Sequence, residues 1–151
     1  MKELFAKYAI TDRRKAGLTQ EQAAEKLHIS VRTISDYECG KSLPPDDVVE
    51  IMIDTYKSVR IGYIWLRCNR IGHRLLPNTP MQHFESSILH LQSRLKRVNE
   101  INGIIVDVGW DGVIEEQEIE QWEKVTEALN DLASAIFSVQ MAQKKPSGKT
   151  T

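Results

Sequence analysis

Apolar residues recur along this chain at steps of three and four, and hardly ever in strict alternation. Such spacing lines up one face of a 3.6-residue helix, whereas alternation marks a half-buried strand. Residues 2–16 offer Leu4, Phe5, Tyr8 and Ala9 for one face, and Gly17 stands where a helix can end. Thr19 opens the next helix. Thr19 and Gln22 have the T-x-x-Q spacing of a capping box, which satisfies two backbone N–H groups reciprocally. Ala23, Ala24 and Leu27 give this helix its apolar face. Ser30 is the next N-cap, opening a helix over Val31–Glu38 with Ile34 and Tyr37 inward and Gly40 closing it. Pro44-Pro45-Asp46-Asp47 is a further start signal, with proline at the first turn and two carboxylates on the positive dipole end. Val48, Val49, Ile51, Met52 and Tyr56 follow at helical spacing, and a fifth helix is expected over Ile61–Ile71.

Pro77-Asn78-Thr79-Pro80 reads as a linker. Beyond it, Phe84, Ile88, Leu91, Leu95 and Val98 form a heptad-like stripe. Asn102-Gly103 and then Gly109 to Gly112 interrupt it, and Trp122, Val125, Leu129, Leu132, Ile136 and Val139 resume it. Ile104–Val108 is the one short β-like run. The expected fold is therefore all-α. Its expected parts are a domain over 1–76, a linker over 77–81, a helical hairpin over 82–143, and a disordered tail over 144–151. Two apolar stripes on a two-helix unit cannot be fully buried against each other. That favours self-association, with Leu91, Leu95, Leu129 and Ile136 at a homodimer interface.

Charge sharpens the division. Residues 1–77 carry 13 Lys+Arg against 10 Asp+Glu, a net of +3, and residues 78–151 carry 7 against 11, a net of −4. The basic field is modest, so a nucleic-acid function must rest on motif rather than charge. Cys39 and Cys68 form no CxxC pair and no zinc-type spacing, as in a reduced cytoplasmic protein. No apolar stretch approaches the length of a membrane span. No phosphate-binding glycine loop, nucleophile elbow or HExxH occurs, so neither an enzyme nor a cofactor is expected.

Two helices joined by a three- or four-residue turn, the second opened by a small polar cap, form a helix-turn-helix. The N-terminal end of such a second helix can enter the major groove. Ala24 is small enough for the helix crossing, and Leu27, Ile29, Ile34 and Tyr37 can lock the pair from inside. Val31, Arg32 and Ser35 are the outward candidates for base edges.

The run GLTQEQAAEKL, followed by IS-x-x-TIS-x-YE-x-GK-x-x-P, resembles the Cro/lambda-repressor type of regulator, the XRE-like helix-turn-helix family, over roughly residues 5–56. The resemblance implies a five-helix DNA-binding domain. It places Val31, Arg32 and Asp36 among base-reading positions, and Gln20, Ser30, Thr33 and Lys41 among phosphate contacts. It also implies a partly buried ion pair between Arg13 and Glu38. His28 departs from the family's usual turn glycine, although histidine tolerates a left-handed backbone better than most residues. Asp36 departs too. It can accept from a cytosine amine, or pair with Arg32 one turn back. The expected protein is a dimeric, phage- or mobile-element-style repressor on a palindromic operator in double-stranded DNA. The alternative is an antitoxin-like or adaptor protein whose C-terminal half binds another protein.

Two other signals divide between readings. Lys57, Arg60, Arg67, Arg70 and Arg74 form a stretch without an acid, and a continuous helix would align Arg60, Arg67 and Arg74. They suit a phosphate-contacting flank or a cationic docking face. DVGWDGVIEEQE, residues 107–118, has EF-hand-like spacing at Asp107, Asp111, Gly112, Ile114 and Glu118, with Gly109 where a ligand belongs. The favoured reading is a turn at Asp111-Gly112 followed by an acidic helix start.

Overall fold

The computed structural model describes residues 2–110 and 112–142, and the regular structure among them is helical, with no strand. The chain divides into two units, Met1–Leu76 and Pro77–Thr151.

The first unit holds α1 (Lys2–Lys15), α2 (Gln20–Lys26), α3 (Val31–Glu38), α4 (Asp46–Tyr56), α5 (Val59–Cys68) and α6 (Arg70–Leu75). Phe5 and Ala9 of α1, Ala23 and Leu27 near α2, Ile34 of α3, Met52 and Tyr56 of α4, and Ile61 and Ile64 of α5 form its core. Leu4, expected on the inner face of α1, is 48 % exposed. The inner stripe instead runs Phe5, Ala9, Asp12, and the last of these is a fully buried carboxylate.

The expected single helix over Ile61–Ile71 is two helices that meet at Asn69, whose ψ of 147° is extended. Gly72 makes the corner possible, because a Cβ there would lie 2.0 Å from the Leu66 carbonyl oxygen. Arg60, Arg67 and Arg74 are therefore not aligned. Arg60 pairs with buried Asp12. Arg67 donates to the carbonyls of His73 and Leu76, and Arg74 is exposed.

The second unit holds α7 (Phe84–Glu100), α8 (Asn102–Gly109), a 3-10 turn (Glu116–Glu118) and α9 (Ile119–Met141). The β-like run Ile104–Val108 is part of α8. Near the end of α7, Arg97 reaches Glu127 and Asp131 at 2.9 and 3.0 Å. Pro80, just before α7, accepts from Ser138 near the end of α9. The two long helices are thus antiparallel. Ser134 also donates to the Asn78 carbonyl, and Thr79 is buried, so residues 78–80 are pinned to α9.

The seam of this hairpin is built from small residues. Ser87, Ala128, Ala135 and Ser138 are buried beside Val125, while Leu129 and Ile136 are 42 % and 41 % exposed. Small side chains let two helices approach closely, and the larger neighbours are left at the edge. Leu91 is half-buried and Leu95 exposed. Positions two apart on a helix differ by about 200°, so Leu95 points away from the Arg97 side and Leu129 away from the Glu127 side. One flank of the hairpin is ion-paired and the other is aliphatic.

Asp107 lies within α8, so the first place of the EF-hand-like spacing is helical, and Asp111 lies outside the described residues. Gly112 takes a left-handed φ of 73°. Glu118 then accepts from the Glu115 amide at the start of the 3-10 turn. No metal-binding group of His, Cys, Asp or Glu forms among the described residues. The tail 144–151 lies outside them.

Candidate nucleic-acid interface

The turn between α2 and α3 is set by local chemistry. Thr19 Oγ1 accepts from the Gln22 amide at 3.2 Å, and Gln22 Oε1 accepts from the Thr19 amide at 2.9 Å, completing the capping box. Leu27 ends α2, and His28 turns the chain with φ 54°, the left-handed conformation. Ser30 Oγ then accepts from the Thr33 amide at 3.0 Å, capping α3. Ala23, Ala24, Leu27, Ile34 and Tyr37 are all buried between the helices and the core, and Ile29 is half-buried.

This packing leaves the N-terminal end of α3 facing outward. Val31 is 38 % exposed. Arg32 is exposed and makes no hydrogen bond or ion pair among the described residues. Ser35 and Asp36 are half-buried on the same helix. Asp36 does not pair with Arg32. It accepts from Lys41 Nζ at 3.0 Å, and this bond raises the Lys41 pKa. Lys41 is brought to Asp36 by the turn at Gly40, whose φ is 70°. The guanidinium of Arg32 is left available.

The four expected phosphate contacts are all engaged internally. The Ser30 and Thr33 hydroxyls are 2.8 Å apart. Lys41 holds Asp36, and Gln20 Nε2 donates to Glu38 Oε2 at 2.8 Å. Hydroxyl and lysine contacts of this kind are exposed and exchange readily with an incoming anion.

Beneath them lies the most constrained group of the unit. Arg13 and Glu38 meet in a two-pronged pair, Nε–Oε1 at 2.5 Å and Nη2–Oε2 at 2.9 Å, with both side chains under a tenth exposed. The third guanidinium nitrogen donates to the Leu18 carbonyl at 2.7 Å. The hydrogen bond to Glu38 raises the Arg13 pKa against the opposing effect of burial. Burial and the Glu38 charge also drive the nearby Tyr56 hydroxyl far above its ordinary range. Charge-assisted bonds of this geometry are among the strongest a protein makes. They tie α1, the turn after it, and the C-terminal end of α3 into one piece.

A second buried anchor escaped the sequence reading. Asp12 accepts from Ser58 Oγ at 2.6 Å and from the Arg60 guanidinium, which also stacks 4.6 Å from the Tyr8 ring centroid. The available signal was a carboxylate on the same stripe as Phe5 and Ala9. Trp65 Nε1 donates to the Pro44 carbonyl at 2.8 Å, fixing the loop that leaves α3. Together these hold the second helix of the motif against a rigid backing.

Residues 11–64 match the helix-turn-helix family model. No curated protein and no solved structure matches the chain. No helix of the described residues is long and apolar enough to cross a membrane. The match covers both helices of the motif, their caps, the Arg13–Glu38 pair and the Asp12 anchor. The chain thus carries, in its first unit, a helix-turn-helix domain of the Cro/lambda-repressor, XRE-like kind, a DNA-binding domain of transcriptional regulators.

Proposed function

We propose that the protein is a dimeric repressor that reads a palindromic operator through the major groove with Val31–Glu38. The observation that carries this reading is Arg32, exposed and without a partner among the described residues, at the N-terminal end of a capped helix. Arginine in that place can bond guanine through two parallel contacts. Val31, Ser35 and Asp36 complete the base-reading set, with Asp36 released from Lys41 where a cytosine amine is offered. Ser30, Thr33 and Lys41 hold the backbone phosphates by exchanging internal partners for phosphate oxygens, and Gln20 adds an amide N–H. Contacts of that kind make affinity fall steeply with salt.

The aliphatic flank of the hairpin supplies the dimer contact. Leu95, Leu129 and Ile136 form it, with half-buried Leu91 at its edge. A two-fold dimer places two reading helices about one DNA turn, ~34 Å, or a multiple of it apart. Occupying such a site in the cytoplasm blocks access to the DNA beneath it. Selection of bound sequences from a random DNA pool tests the reading. A two-fold symmetric consensus is expected, and a consensus with no inverted repeat would refute the dimeric mode.

A further inference from the structure

We infer that Glu38 is the positioning residue for Gln20, through the ion pair it shares with Arg13. The inference rests on the reading of Gln20 as a phosphate contact. Gln20 begins α2, and Glu38 ends α3, so neither helix fixes the relation of these two side chains by itself. Glu38 Oε2 fixes it by accepting from both Arg13 Nη2 at 2.9 Å and Gln20 Nε2 at 2.8 Å.

This arrangement does two things. The Gln20 amide has two N–H groups and one carbonyl, and spending one N–H on Glu38 sets the plane of the rest. The second N–H is then presented in a fixed direction, on a cleft rimmed by Arg14, Thr19 and Glu21. A free glutamine would have to be ordered when DNA arrives, at a cost in rotamer entropy. The second effect is electrostatic. A carboxylate beside a phosphate repels it, but Glu38 is neutralised by the two-pronged guanidinium of Arg13. Glu21 and exposed Arg14 also line this cleft, so it carries both signs of charge. Arg13 thus lets an anion orient a group that faces an anion.

The test is a thermodynamic cycle on the full chain, using a duplex recovered from random-pool selection and fluorescence anisotropy as the readout. One bond to a charged oxygen is worth about tenfold in affinity. Gln20→Ala is expected to weaken binding about tenfold. In the Arg13→Met, Glu38→Leu background, the same Gln20→Ala change is expected to cost less than about twofold. An equal tenfold loss in both backgrounds overturns the positioning role and leaves the phosphate contact standing. No loss in the natural background removes the phosphate contact itself. A second measurement needs no variant. Side-chain 15N relaxation of Gln20 in the DNA-free protein should show a rigid amide, and an order parameter below about 0.6 overturns the inference.

Discussion

Truncating Glu38 to alanine leaves the Arg13 guanidinium buried without its counter-charge. Both side chains are less than a tenth exposed, so water offers little screening. Removing one partner from a pair of this depth costs about 3–5 kcal/mol. Only the Leu18 carbonyl remains to Arg13, and Gln20 loses its acceptor as well. The first unit, Met1–Leu76, has roughly 4–11 kcal/mol of stability at ordinary values per residue. The loss is therefore about a quarter of the total or more, and a domain this size loses about 4–8 °C per kcal/mol. A melting-point drop greater than about 12 °C is expected. Arg13→Met with Glu38→Leu should recover much of it, since a packed apolar pair replaces the ionic one, although the Leu18 carbonyl stays short of a donor. Urea unfolding followed by Trp65, with Trp110 and Trp122 changed to phenylalanine, isolates the first unit. A loss below about 1 kcal/mol for Glu38→Ala, or losses that simply add in the double variant, would show that this pair does not hold α1 to α3.

Three further outcomes are expected. Arg32→Ala should leave the fold intact and flatten base preference at one position per half-site, by roughly 1–3 kcal/mol of discrimination; an unchanged preference matrix would take Arg32 out of the reading set. Leu129→Lys with Ile136→Lys should convert a dimer to a monomer in sedimentation at tens of micromolar, and a natural chain already monomeric there would end the dimer proposal. Tyr56 has a raised folded pKa, chiefly from burial, so its stabilisation is complete below the unfolded value near 10 and is lost as pH rises beyond it. Melting at pH 9 and pH 11 should differ less in Tyr56→Phe than in the natural chain, and an identical difference would refute the assignment.

The local elements of the motif were legible because their signals are local. Thr19 with Gln22 and Ser30 before Val31 act over three residues, so sequence spacing alone sets their geometry. The Asn69 break was not legible, since it depends on Gly72 meeting a carbonyl of the preceding helix. Arg60 read as one of three aligned cations, yet its partner Asp12 lies on another helix. The seam of the hairpin was not legible, because large aliphatics carry the apolar periodicity of α9 while Ser87, Ala128 and Ala135 are the buried positions. Spacing located the helix Val31–Glu38 and the outward position of Val31 and Arg32. It did not show that Gln20, Ser30, Thr33 and Lys41 begin with partners of their own.

The small-residue seam has a consequence for dosage. Burial of alanine and serine removes little apolar surface from water, so the hairpin gains modestly from its own closure. Larger aliphatic side chains, Leu95, Leu129 and Ile136, stay about two-fifths exposed on one flank. For a dimer through that flank, folding of the second unit and assembly draw on the same side chains. Stability then follows mass action and rises with protomer concentration. Operator occupancy would then depend on the dimer, whose population grows with the square of the free monomer. In the proposed dimeric repressor, a small change in copy number near the dimerisation constant would give a disproportionate change in repression, and the hairpin would set a threshold on the amount of protein made.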